Sequence, residues 1–124
     1  MRFAGLGFRA AADVSSLRDA LFRAAAGSRV DAIVTEAAKA RTAVFREFAT
    51  ELGVPGLGVE VAEIGQMITL TQSERIQDRF GTGSLCEAAA LAAGGPNAAL
   101  VAGRVISGDG MATAAIAETK ESDT

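Results

Sequence analysis

The chain has 124 residues, a net charge of −3, one cysteine and no histidine. That length supports one hydrophobic core and not two, and the negative balance argues against a nucleic-acid binder. Without histidine or a second thiol, a zinc or iron–sulfur site has almost nothing to build on, so neither metal nor cofactor is expected. Residues Arg2 to Phe8 then read as a first strand that ends in Gly5-Leu6-Gly7. A helix follows, with Val14, Leu17, Leu21 and Ala25 at helical spacing, Asp13 or Ser15 as its cap and Gly27 as its end. Ala32-Ile33-Val34-Thr35 is a short apolar run of the kind buried in a parallel sheet. A second helix is expected over Arg41 to Leu52, with Val44, Phe48 and Leu52 on one face and Gly53 and Pro55 as its stop.

Gly58 to Val61 is a plausible third strand. Ser73 reads as the cap of a short helix that ends near Gly81. Ser84 and Glu87 have capping-box spacing, with Ser84 as the cap of an Ala-rich helix that breaks at Gly94-Gly95-Pro96. Ala99 to Ile106 and Met111 to Ala117 are extended, and Ser107-Gly108-Asp109-Gly110 between them is a hairpin signature. Strand, helix, strand, helix followed by a hairpin defines the expected class: α/β, three-layered, with a mixed, partly parallel sheet and a C-terminal antiparallel hairpin. Residues 1–117 form one domain in this reading, and residues 118–124 a polar, frayed tail.

Hydrophobic residues make up 49% of the chain, yet the six aromatics are all Phe, so the core is expected to be Ala, Val, Leu and Ile. No apolar run reaches the roughly 18 residues of a membrane span, and the N-terminus lacks a secretory pattern. With one thiol unable to form an intrachain disulfide, a cytoplasmic, membrane-free placement is expected.

Charge is unevenly spread. Residues 1–41 hold seven basic and four acidic residues, whereas the remainder holds five and eleven. A basic first third suits an anionic ligand, although a solvated helix face carries the same pattern. The turn after the first strand is the best candidate to receive that ligand. Gly5 and Gly7 remove side chains that would block backbone N–H groups, and the following helix adds positive potential if its N-terminus points there. Arg9 adds a planar donor fork for a carboxylate or phosphate. Gly5, Gly7 and Ala10, with Glu36 after the second strand, also satisfy the spacing of a dinucleotide fingerprint. A lone glycine motif is weak evidence, and a nucleotide-binding module is the minor alternative. The small-residue loop Gly81 to Ser84 is a second candidate, again before a helix N-terminus. Glu87 is read as closing a capping box rather than as an acid. Cys86, with no histidine to activate it, is read as a small core filler. Thr113 faces a ligand only if the last strand borders the site.

Several segments, in one order, resemble the CobE family, which is also the C-terminal domain of the CbiG proteins of cobalamin biosynthesis. Gly5-Leu6-Gly7-Phe8-Arg9 is similar to that family's "GIGCR" start. Thr35-Glu36-Ala37-Ala38-Lys39 resembles its strand-to-lysine segment, and Ala49 to Pro55 its "A..LGVP" helix exit. Ser73, then Phe80-Gly81-Thr82-Gly83-Ser84, then Glu87-Ala88-Ala89-Ala90-Leu91 resemble "S…VGTPSVAEAAAL", and Thr113 to Ala117 is similar to "TVAIA". The resemblance runs from Phe3 to Ala117. The chain departs from it at Arg104-Val105-Ile106-Ser107, where the family has "KQKS", and at Arg41-Thr42, where an acidic residue is usual.

The resemblance implies a corrin or precorrin intermediate as ligand, flat and apolar in the middle and anionic at its carboxylate rim. The expected binding set is Gly5, Gly7, Phe8, Arg9, Lys39, Ser73, Gly81, Thr82, Ser84, Arg104 and Ser107. A carrier or accessory role in cobalamin biosynthesis leads, with other enzymes of the pathway as implied partners. The alternative is a hydrolase that opens a precorrin ring lactone, with Lys39 or a carboxylate as base. The resemblance covers only the C-terminal domain of CbiG proteins and shows no base–nucleophile pair.

Overall fold

A computed structural model describes residues 1–64 and 83–119 of the chain. Strand β1, Arg2–Phe8, leads to helix α1, Val14–Ala25, and then to β2, Ala32–Glu36. Two helices, α2 (Ala37–Ala40) and α3 (Ala43–Leu52), precede β3, Gly56–Val59. Helix α4, Gly83–Gly94, leads into the hairpin of β4, Ala98–Ile106, and β5, Ala112–Thr119. The five strands form one sheet in the order β3-β2-β1-β5-β4. β1, β2 and β3 are mutually parallel, and β5 runs antiparallel to both β1 and β4. The mixed sheet with a terminal hairpin is the architecture expected.

Helices cover both faces of the sheet. Because strand side chains alternate, Ala4, Leu6 and Phe8 of β1 point to one face, with Ile33, Ala114 and Ile116. Leu17, Ala20 and Leu21 of α1 and Phe45, Phe48 and Ala49 of α3 pack against them. Phe3 points to the other face with Ala32, Val34 and Val59, under Ala88 and Ala89 of α4. Leu6, Leu17, Ile33, Phe45 and Phe48 are fully buried. At about 2 kcal/mol per fully buried side chain of this kind, the α1/α3 face carries most of the burial energy.

Local signals act much as their chemistry dictates. The Asp13 carboxylate accepts from the Ser16 backbone N–H, and the Ser16 hydroxyl lies 3.4 Å from the Asp13 backbone N, a reciprocal cap on α1. The left-handed residue that ends α1 is Ala26 at φ 51°, one position before the expected Gly27. Gly53 ends α3 in the left-handed region. The helix expected over 41–52 is α3, which starts two residues later than expected, and a short helix that was not expected, α2, precedes it. The Glu36 carboxylate caps Lys39 N and starts α2, Arg41 ends it, and Thr42 opens α3. The third strand lies two residues earlier than Gly58 to Val61, and residues 61–64 form a helical turn. β5 continues through Glu118 and Thr119, so two residues of the expected tail are in the sheet. Helix α4 already includes Gly83, so Ser84 lies inside its first turn rather than at its cap. The short helix expected between Ser73 and Gly81 lies outside the described residues.

Candidate cavity at the C-terminal end of the first strand

In an open α/β sheet, ligands favour the crevice beyond the carboxyl ends of the parallel strands. A cavity of about 450 Å³ lies there, at the end of β1. Gly7, Phe8, Arg9, Lys39, Leu85, Arg104, Ile106, Gly110, Met111, Ala112 and Thr113 line it. β1 supplies its base, the first turn of α4 one wall, and the β4–β5 hairpin the other. Five of the expected binding residues, Gly7, Phe8, Arg9, Lys39 and Arg104, therefore meet in one place although they span almost a hundred residues of chain.

The strand end itself is held by side chains from its neighbours. Thr35 Oγ1 donates to the Leu6 carbonyl at 2.8 Å, and Thr113 Oγ1 lies 3.5 Å from the Gly7 carbonyl. Lys39 Nζ donates to the Phe8 carbonyl at 2.9 Å and sits 5.1 Å from the centroid of the Phe8 ring. Phe8 in turn stacks on Phe45, with centroids 6.3 Å apart. A lysine ammonium has three donors, and among the described residues Lys39 uses one of them, to the Phe8 carbonyl. Arg9 is anchored through its backbone, which donates to the Met111 carbonyl at 3.0 Å, while its side chain is exposed. Among the described residues, neither Arg9 nor Arg104 makes an ion pair with a carboxylate. Three other cations of the first third do: Arg18 forms a bidentate pair with Glu51, Arg23 pairs with Asp19, and Arg2 approaches Glu118. Part of the basic excess thus sits in surface pairs and part at the cavity.

Gly5 and Ser107 do not line the cavity. Gly5 sits inside the sheet, opposite Val34 on β2 and Ala115 on β5. A Cβ built on it would run into the Cys86 carbonyl oxygen, so this glycine exists to let the α4 backbone lie directly on β1. Ser107 is buried in the hairpin turn, where its hydroxyl donates to Asp109 at 2.6 Å and accepts from Ala112 N at 3.1 Å. Ser84 lies in the first turn of α4. Ser73, Gly81 and Thr82 lie outside the described residues.

The nucleotide-like cradle also fails geometrically. The N-terminus of α1 is capped by its own Asp13 and faces Asp109, which accepts from the Ser16 hydroxyl at 2.7 Å. Glu36, the acidic residue of the fingerprint, is spent on capping α2. Asp109 binds Ser107, Ser16 and the Met111 N–H, and these donors hold its carboxyl down at about 2. That network and the bond from Gly108 N to Asp19 tie the hairpin turn to α1. Burial pushes the Cys86 thiol up to about 11 despite a hydrogen bond with Thr113, as fits a core position. Among the described residues no three metal-ligating side chains cluster, and no helix is long and apolar enough to cross a membrane.

Leu85, Ile106, Gly110, Met111 and Ala112 were not foreseen as lining residues. Leu85 comes from α4, and the place of the hairpin residues depends on the antiparallel pairing of β5 with β1, which sets Thr113 opposite Gly7 and Ala112 opposite Phe8. No local pattern encodes that pairing.

Fold and cavity together define a small three-layer α/β domain with a cation-bordered crevice at a strand end. Residues 3–117 match the family model described as "Cobalamin synthesis G C-terminus". The chain belongs to that family, and its role lies in cobalamin biosynthesis. It is similar to the crystal structure of cobalamin biosynthesis protein chiG from Agrobacterium tumefaciens, at 34% identity and a TM-score of 0.79, over 98% of this chain and 100% of that one. It is also similar to CobE, described as a protein from the cobalamin (vitamin B12) biosynthetic pathway, at 26% identity and a TM-score of 0.77, over 98% and 93% of the two chains. A cobalamin biosynthesis protein G homologue from Sulfolobus solfataricus shares the fold at 19% identity and a TM-score of 0.70, over 98% of this chain and 37% of that one. A comparison with curated proteins finds no significant match.

Proposed function

We propose that this domain binds a corrin or precorrin intermediate of cobalamin biosynthesis at the β1 cavity and acts as a carrier or accessory factor. The observation that carries the reading is the chemistry of the lining. Among the described lining residues the titratable members are Arg9, Lys39 and Arg104, set among Phe8, Leu85, Ile106 and Met111. An apolar surface edged with cations matches a flat macrocycle with acetate and propionate arms, because each carboxylate can take charge-assisted bonds while the ring covers apolar carbon. The volume lies towards the lower end of the range for small-molecule sites, so the macrocycle enters by one edge and its remainder stays open for transfer to a partner enzyme. The lactone-opening alternative needs a general base. None of the described lining residues is a carboxylate or thiol, and Lys39 is bonded to the Phe8 carbonyl. That chemistry favours holding over reaction.

The test is a titration of the purified protein with hydrogenobyrinic acid, a corrin with free carboxylate arms, followed by its visible absorption and by mass spectrometry. Saturable spectral change with unchanged ligand mass is expected, and Arg9→Ala should weaken binding about tenfold through the loss of a charge-assisted contact. A changed ligand mass would replace the carrier with an enzyme. Silence towards the corrin alongside binding of NAD or ATP would discard the reading.

A further inference from the structure

β4 is two residues longer than the part of β5 that it pairs with, and one of the two irregularities decides where Arg104 points. Ala102 pairs with Ile116 and Val105 with Ala114, so Gly103 and Arg104 together stand opposite the single residue Ala115. This is a β-bulge, and an extra residue shifts the face alternation of everything beyond it. Ala102 and Val105 accordingly both pack on the α1 face, which an unbroken strand would forbid for residues three apart. Arg104 adjoins Val105 and so falls on the opposite face, where it lines the cavity with Gly7 and Thr113. With Ala102 kept opposite Ile116, an unbroken strand would set Arg104 opposite Ala114, whose side chain is buried against α1.

A bulge takes a backbone N–H out of the ladder. That of Arg104 donates instead to Glu87 Oε2 at 3.0 Å, across 17 residues of chain. The same oxygen lies 3.4 Å from where a Cβ on Gly103 would stand, so the carboxylate sits against the bulge itself. Glu87 belongs to α4, two residues beyond the cavity-lining Leu85. We propose that Glu87 is a positioning residue: by accepting the Arg104 N–H it holds the bulge in register and keeps the Arg104 guanidinium on the cavity face. This rests on reading the cavity as a carboxylate-binding site. It also replaces the expectation that Glu87 serves only a capping box.

Affinity for hydrogenobyrinic acid, measured in a double-mutant cycle, tests the proposal. Glu87→Ala should weaken binding about tenfold, comparable to losing the Arg104 contact itself, and Glu87→Gln, which retains an acceptor oxygen, should restore most of it. In an Arg104→Ala background Glu87→Ala should cost nothing further, because the two act through one contact. Equal losses in both backgrounds, or a glutamine variant as weak as the alanine one, would overturn the assignment. Glu87→Asp, which keeps the charge but withdraws the oxygen, should fall between the wild type and Glu87→Ala, and it serves if the alanine variant does not fold. A crystal structure of the aspartate or alanine variant decides the matter without any ligand. Arg104 turned off the cavity face supports the role, and Arg104 unmoved refutes it. Absence of corrin binding by the wild type would count against the proposed function and leave that structural comparison to judge Glu87.

Discussion

The two faces of the sheet are built on opposite principles. The α1/α3 face is filled by bulk: Leu6, Leu17, Ile33, Phe45, Phe48 and Ile116 interlock, and the helices stand off at side-chain distance. The α4 face is flanked by Phe3, Val34 and Val59 but is built by subtraction at its centre: Gly5, Cys86, Ala88, Ala89, Ala115 and Ala117 are small, and at Gly5 the α4 backbone lies against the β1 backbone. In the first turn of α4, at Leu85, that close cover stops and the cavity opens over Gly7. Close packing therefore does double service, since it stabilises the sheet and places a helix end at the rim of the site.

The largest way to break this contrast is to add bulk where none fits. Gly5→Val should cost at least about 3 kcal/mol and give little folded protein, because the obstacle is helix backbone and not a side chain that can swing aside. Its thermal melt compared with that of the wild type is the check. Phe48→Ala should cost about 3–5 kcal/mol through the cavity it leaves, yet the fraction still folded should bind hydrogenobyrinic acid normally, since Phe48 lies on the other face. Weakened affinity in that fraction would show that the two faces are coupled.

A smaller effect concerns the hairpin turn. The carboxyl of Asp109 is held at about 2, against 3.8 for an ordinary aspartate, by Ser107, Ser16 and the Met111 N–H. A depressed carboxyl contributes stability that is present above the unfolded value and lost as pH falls through the folded one. Asp109→Asn should therefore melt lower than the wild type at pH 7, and the gap should close between about pH 4 and pH 2. A gap that stays constant across that window would assign the effect to packing instead. Smallest of all, Cys86→Ala should cost no more than about 1 kcal/mol, and the native thiol, pushed up to about 11, should resist iodoacetamide at pH 8.

Much of the α1/α3 face was legible in the sequence because bulky residues at helical spacing announce themselves, as Leu17 and Leu21 do in α1 and Phe48 in α3. β1, β2 and the hairpin were legible for the same reason of pattern. The α4 face was harder to read, since glycine and alanine carry no direction. Gly5 looked like an open ligand cradle when it is a packing position, and the glycine-flanked third strand lies two residues from its expected place. The extra short helix α2 turns on Glu36 capping it and on Arg41 closing it, a choice that helix periodicity alone does not show. Arg9, Lys39 and Arg104 stood out because each follows a strand end or lies on an edge strand, and all three line the cavity. Ser107 shared that logic and is instead absorbed by its own turn. Glu87 was assigned locally because its partner, a bulge on β4, follows from strand register and from no nearby motif.

Amide chemical-shift mapping with hydrogenobyrinic acid tests the central claim most directly. The account predicts shifts concentrated at Gly7, Arg9, Lys39, Leu85, Arg104 and Thr113, around the end of β1. Shifts centred instead on the α3 groove lined by Phe45, Arg46, Thr50 and Val54, with the β1 end silent, would contradict it.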